Sequence, residues 1–305
     1  MNIYLKTAIS LNIKIRKSIM ALMMLSTTLS IPMTTWAIDV DAADFVPAPE
    51  GTTIGLLYYQ RAERNKMYAH GSETDTQVKL DSDVGIARLV HYTHLGEYEI
   101  APQILAPFAS IQAGKDIAGL GKTNGLGDVI LAVPFWLVNN PQSRQYFAIA
   151  PYLYIPIGQY DHNKALNIGE NRWKFDLQSG YVKGLTDRWF INLTADVMFF
   201  GTNDEYGANS VEMKQKPLFQ GQADIHYKIS PQTNIFTGIS KIWGGETRIA
   251  GINNDDESQQ LKLKLGASHF ITPQTQFLIS LGKDIKVENG FKENARVNIR
   301  LLHVF

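Results

Sequence analysis

The stretch WKFDLQSGYVKGLTDRWFINLTADVMFF, Trp173 to Phe200, sorts its residues with a period of two. Trp173, Phe175, Leu177 and Tyr181 fall on one side with Ser179 among them, and Lys174, Asp176, Gln178 and Gly180 fall on the other. Beyond the short connection LTDRW, the residues Trp189, Ile191, Leu193, Ala195, Val197 and Phe199 oppose Asn192, Thr194 and Asp196. Side chains alternate across a strand, so each half reads as a strand with one apolar face. A connection this short makes the pair an antiparallel hairpin.

The same pattern extends in both directions. In FQGQADIHYK, Phe219, Ala223, Ile225 and Tyr227 oppose Gln220, Gln222, Asp224, His226 and Lys228. In QLKLKLGAS, Leu261, Leu263, Leu265 and Ala267 oppose Lys262, Lys264, Gly266 and Ser268. The last segment, ARVNIRLLHVF, sets Val297, Ile299, Leu301 and Phe305 against Arg296, Asn298 and Arg300. ISPQTN at Ile229 and ITPQTQ at Ile271 are near copies, with LTDRW, NNPQSRQ and LGEYE as looser relatives. These short connections recur roughly every 44 residues and alternate with longer polar segments such as Gln159 to Asn171 and Gly201 to Gln215. Twelve strands fit, at 52–64, 80–94, 98–111, 126–138, 145–158, 172–184, 188–200, 217–229, 234–243, 259–270, 275–284 and 294–305.

Composition decides which side meets what. Lys6, Lys14, Arg16 and Lys17 precede a short apolar stretch, Ser18 to Ile31, followed by Thr35-Trp36-Ala37, the order of an export signal cut after Ala37. The chain has no cysteine, which excludes a disulfide scaffold, a thiol nucleophile and an acylated N-terminal cysteine. The 29 basic and 29 acidic residues balance, and losing the four basic residues ahead of Ile38 leaves a small acidic excess, unlike a nucleic-acid-binding surface. In an exported chain, continuous apolar faces backed by polar ones match a barrel whose outside meets lipid and whose inside is wet. Closure satisfies every strand edge, as hydrocarbon requires. Tyr98, Tyr146, Phe147, Trp189, Tyr227, Phe270 and Phe277 lie near the short turns, where aromatic rings suit a headgroup interface.

The expectation is therefore an all-β transmembrane antiparallel barrel of twelve strands in the bacterial outer membrane, with short periplasmic turns and longer extracellular loops. It comprises a cleaved signal peptide at 1–37, a periplasmic N-terminal segment at 38–51 and the barrel at 52–305. Its expected neighbours are outer-membrane lipids and lipopolysaccharide, with no nucleic acid.

The final strand resembles the C-terminal signal of outer-membrane barrel proteins, with Phe305 last and Leu301, Ile299 and Val297 alternating before it. His303 departs from the usual apolar residue at its position. The stretches GLGDVILAVPFWLV, QYFAIAPYLYIPIGQYD and FDLQSGYVKGLTDRWFINLTADVMFFGTND resemble an outer-membrane family of transporter-like proteins described as components of a phenol meta-degradation pathway. The first resemblance implies recognition of Val297, Ile299, Leu301 and Phe305 by the barrel-assembly machinery. The second implies a channel or transporter for small or hydrophobic organic compounds, without a catalytic signature to carry over.

The residues expected to face the lumen are Lys174, Asp176, Asn192, Asp196, Gln222, Asp224, His226, Lys262, Lys264, Arg296, Asn298 and Arg300. They can line a pore or knit the interior shut. Other motifs carry less. GLGKTNGLGD has Asp116 where a phosphate-binding loop needs its first glycine, and no cofactor is expected. Asn253 to Ser258 (NNDDES) offers oxygens to calcium without the spacing of a calcium loop. His91 and His94 differ in parity and do not share a strand face. Two alternatives differ in class. One is an outer-membrane lipid-modifying enzyme, for which His226 with Ser240 is the imaginable pair. The other is a secreted soluble β-sandwich binding protein.

Overall fold

The computed structural model describes residues 40–41 and 43–305, so the expected signal segment 1–37 lies outside the described residues. Twelve wall strands run in chain order as β1 (Thr53–Ala69), β2 (Val78–His91), β3 (Gln103–Lys115), an interrupted β4 (Lys122–Leu126, Val129–Ala132 and Phe135–Asn140), β5 (Gln145–Ile155), β6 (Lys174–Gly184), β7 (Trp189–Phe200), β8 (Leu218–Lys228), β9 (Thr233–Gly244), β10 (Ser258–Phe270), β11 (Thr275–Val287) and β12 (Gly290–Val304). Each pairs antiparallel with the next. β1 then pairs with β12 from Ile54↔Val304 to Tyr68↔Gly290, which closes the barrel. The described residues thus form a closed twelve-stranded antiparallel barrel with every wall strand paired on both sides.

The repeated turn sequences build repeated turns. Thr186, Ser230 and Thr272 each turn a hydroxyl back to accept the backbone N–H three residues on, from Trp189 (3.0 Å), Thr233 (3.1 Å) and Thr275 (3.0 Å). This local bond is why a hydroxyl residue recurs at that place. Just above the same rim, Thr53, Thr233 and Thr275 bond across the strands to Nδ1 of His91, His269 and His303, each at 2.9 Å. His303, at the position where the sequence departs from the usual apolar residue, thus ties β12 to β11. Phe305 continues the closing ladder through its N–H to the Thr53 carbonyl (3.0 Å). Its ring stands edge-on to His303 and covers Gly55 of β1.

At the opposite rim the strands outrun their expected ends. β1 reaches Ala69, and β11 and β12 are joined by Glu288 and Asn289 alone, where a longer segment from Asp284 to Glu293 was expected. Their outward positions there carry charge, and cross-strand pairs such as Arg61–Asp83 (3.2 Å) and Lys66–Glu73 (2.8 Å) let the wall continue above the hydrocarbon. Two long loops fold on each other as a four-stranded sheet of Asn203–Tyr206, Val211–Gln215, Thr247–Ile249 and Ile252–Asn253.

Outward alternation produces an apolar belt that includes Leu57, Phe108, Leu177, Leu193, Ile239, Leu265 and Leu281. The inner side is less uniform than the polar faces of β6–β8 suggest. β5 is apolar on both faces: Tyr146, Ala148, Ala150, Tyr152 and Tyr154 are buried inside, while Leu153 is exposed outside. With Ile54, Leu56, Val90, Ile130 and Trp136, these inner side chains form a packed cluster that also contains Val40 and Phe45.

Candidate functional site: the barrel lumen

Strand parity brings the twelve sequence-derived inner positions onto one continuous surface. Lys174, Asp176, Asn192, Asp196, Gln222, Asp224, His226, Lys262, Arg296 and Arg300 are buried, and Lys264 and Asn298 are half-buried. The structure gathers these side chains into two tiers.

The outer tier centres on Glu293, which is fully buried. Its carboxylate accepts from Arg64 Nη2 (2.5 Å) and from Arg296 Nη2 (2.6 Å) and Nε (2.8 Å), and lies 3.2 Å from Lys262 Nζ. Its backbone N–H donates to Asp284 (2.8 Å). A second buried carboxylate, Glu170, accepts from Arg172 Nη2 (2.6 Å) and from Lys174. Burial works to raise the Glu170 pKa, but Lys174 and Arg172 together overcome it and hold the carboxyl down at about 2. A depressed carboxylate contributes its stability above its ordinary value of 4.5, and that contribution is lost as pH falls through 2.

The inner tier holds the N-terminal segment. The expectation for residues 38–51 was a periplasmic connection; of the residues described there, Val40, Asp41 and Ala43 to Phe45 lie among inner-face side chains. Gln222 Nε2 and Lys264 Nζ both donate to the Val40 carbonyl at 2.6 Å. Arg300 Nη1 reaches Asp41 (3.1 Å) and Asp44 (2.7 Å), and Trp136 Nε1 donates to the Phe45 carbonyl (2.9 Å). The Phe45 ring occupies the space above Gly180, where a Cβ would approach it to 2.1 Å. Asn192 of β7 accepts from the Ala43 N–H (3.3 Å), so the segment is a plug anchored on six strands, β4, β6, β7, β8, β10 and β12.

Between the tiers lies a cavity of about 210 Å³. Val84, Ile86, Leu105, Ile111, Ile130 and Ile168 form an apolar wall of its lining, and Arg64, Arg88, Lys174, Arg296 and the plug's Asp41 and Asp44 add charged groups to it. Sequence reading missed this apolar wall because its residues lie on strands whose two faces are not contrasted. It also missed Arg64, Glu170, Arg172, Asp284 and Glu293.

The remaining motifs go elsewhere. Ser240 pairs across the ladder with Gln222, four residues from His226, so the imaginable catalytic pair is separated by about 13 Å along the strand. His226 bonds Asn192 (3.0 Å) and stacks on Phe190. Both carboxylate oxygens of Asp256, in the loop considered for calcium, accept from Thr247 and so organise the extracellular sheet. His91 bonds Thr53, while His94 pairs with Glu50 (3.1 Å).

A closed twelve-stranded wall, a lipid-facing belt and a lumen filled by charged tiers and a plug define a bacterial outer-membrane barrel of the narrow channel class. The chain belongs to the family described as "Putative MetA-pathway of phenol degradation", whose pattern matches residues 64–301. It is similar to an outer-membrane channel of known crystal structure from Pseudomonas putida. The two are 37% identical with a TM-score of 0.85, over 88% of this chain and all of that one. The β domain of the Bordetella autotransporter BrkA shares the fold alone, at 10% identity and a TM-score of 0.53 over 84% of this chain and all of that one. No curated relative matches the chain.

Proposed function

We propose that the protein is an outer-membrane channel that passes small, largely apolar organic compounds through its lumen, and that it carries out no chemistry on them. The observation that carries this reading is the cavity of about 210 Å³ with its continuous apolar wall. A dry apolar void of roughly 150 Å³ accepts a benzene molecule, so this one has room for a substituted aromatic ring. Arg64, Lys174, Arg296 and Arg300 are taken up in ion pairs with Glu293, Glu170, Asp41 and Asp44, which leaves the apolar wall as the larger surface a solute meets. The Pseudomonas putida relative, which is a channel, and the phenol-degradation family support the same reading.

The test uses intact cells, because a phospholipid bilayer alone is freely crossed by such compounds whereas the lipopolysaccharide leaflet resists them. Cells bearing the barrel should take up labelled phenol or toluene faster than cells lacking it, with no gain for a sugar. Equal aromatic uptake in both would rule the proposal out.

The wall is read as contacting lipid and lipopolysaccharide, with Phe305 and the alternating Val297, Ile299 and Leu301 presented to the assembly machinery. Phe305 both extends the seam to Thr53 and covers Gly55. Its deletion should lower the amount of folded barrel in the outer membrane severalfold, measured by heat-modifiable mobility, while barrels that do fold conduct normally. Normal membrane levels of the truncated chain would count against this role.

A further inference from the structure

The lumen's guanidinium groups are matched with carboxylates at every place but one. Arg64 and Arg296 share Glu293, Arg172 pairs with Glu170, and Arg300 pairs with Asp41 and Asp44. Arg88 of β2 has neutral hydrogen-bond partners instead, and the carboxylate that shares its cavity, Asp44, is already bonded to Arg300. Its Nε donates to Gln103 Oε1 (2.5 Å) and its Nη1 to the Tyr58 hydroxyl (3.0 Å). Among the described residues Nη2 has no hydrogen-bond partner.

Its position gives this guanidinium, whose Nη2 is unbonded among the described residues, a use. Arg88 lines the cavity of about 210 Å³ and also the small void below it, which is bounded by the plug's Val40, Asp44 and Phe45 and by Tyr92 and Tyr152. It therefore stands at the level where the plug closes the lumen. The apolar side chains of Ile86, Leu105 and Ile130 border the same space. A cation set against apolar surface and held by neutral groups attracts an anion strongly, because little water competes. The Nη1 and Nη2 end of a guanidinium presents parallel N–H groups that fit a carboxylate.

We propose that Arg88 receives the anionic head of the solute, and that the lumen selects small aromatic acids: a carboxylate on Arg88 and a ring along the Ile86–Leu105–Ile130 wall. This rests on the channel reading above and names the solute class within it. The bound form is a simple ion pair, with no bond made or broken.

The experiment compares benzoate with benzyl alcohol and benzylamine, three probes of nearly one shape, on the purified detergent-solubilised barrel. Binding is followed by titration calorimetry for the wild type, Arg88→Gln and Arg88→Lys. A charge-assisted hydrogen bond predicts benzoate binding about tenfold tighter than benzyl alcohol, with benzylamine weakest. Arg88→Gln should bring benzoate to the level of benzyl alcohol, and Arg88→Lys should keep part of the preference. Heat-modifiable mobility reports whether each variant has folded; should Arg88→Gln fail to fold, the wild-type ranking and Arg88→Lys decide the matter. No preference for benzoate in the wild type, or a preference intact in folded Arg88→Gln, overturns the proposal. Benzyl alcohol bound as well as benzoate would leave the channel reading standing and remove only the role of Arg88. Failure of all three probes to bind would remove both.

Discussion

Deleting residues 40–46 should raise single-channel conductance about fivefold or more, since a twelve-stranded barrel cleared of its plug has room for a water-filled pore. The segment fills the lower lumen with Val40, Asp41 and the turn at Ala43 to Phe45, and is held from six strands. None of its anchors is a wall hydrogen bond, so the barrel should close without it. The deletion also removes Asp41 and Asp44, which leaves Arg300 without its carboxylates and takes both from the cavity that Arg88 lines. The opened pore should therefore prefer anions, and reversal potentials across a salt gradient in planar bilayers report this directly. Gly180→Val should move conductance the same way by a smaller amount, because its side chain needs the space of the Phe45 ring. Wild-type conductance in the deletion would mean that the narrowest point lies in the outer tier.

The second large effect is expected at Glu293. Replacing it with alanine leaves Arg64, Arg296 and Lys262 facing one another in a buried site without the carboxylate that joins them. Removing one member of a buried ion cluster costs about 3–5 kcal/mol, mostly from the charges left uncompensated. The location magnifies the consequence. Arg64 belongs to β1 and Arg296 to β12, so Glu293 fastens the seam at the place where its register shifts. The urea midpoint of the heat-modifiable band should fall substantially for Glu293→Ala and less for Glu293→Gln, which keeps an acceptor for the arginines. Equal, small shifts in both would show that the tier contributes little to closure.

The wall of the barrel was legible because its physics is periodic. Lipid on one side and ion pairs on the other force the alternation read at Trp173 to Phe200, and a hydroxyl-capped turn repeats in LTDRW, ISPQTN and ITPQTQ. The interior was legible only where parity continues unbroken. Glu293 has the wrong parity for an inward residue of β12, whose Arg296, Asn298 and Arg300 are even-numbered. The register shift opposite Glu63 and Arg64 flips the face, as an extra residue in one strand does. Arg64 sits at the last residue of its expected strand, and the wall continues beyond it. The plug is one turn long, too short for any period to show, and its sequence of valine, aspartates and phenylalanine has no local signature. β4 was read as one strand, although Pro134 and the Gly127–Asp128 step divide it into three. There Gly127 donates to the Pro107 carbonyl (2.9 Å), and the loop residue Gln159 donates to Leu126 (2.8 Å), so a loop takes over part of the pairing.

Solutes that pass through the lumen require the plug to move aside. The chain has no cysteine, so a single engineered pair can test it without interference. In Phe45→Cys with Gly180→Cys the two side chains occupy neighbouring space, since a Cβ at 180 would lie 2.3 Å from the Phe45 Cγ. Initial uptake of labelled benzoate or phenol by intact cells is then measured with the pair oxidised and again after reduction. Uptake is expected to fall to the level of barrel-free cells when the plug is tethered and to return toward the wild-type rate on reduction. Undiminished uptake with the plug tethered would contradict it and place the solute's path outside the plugged lumen.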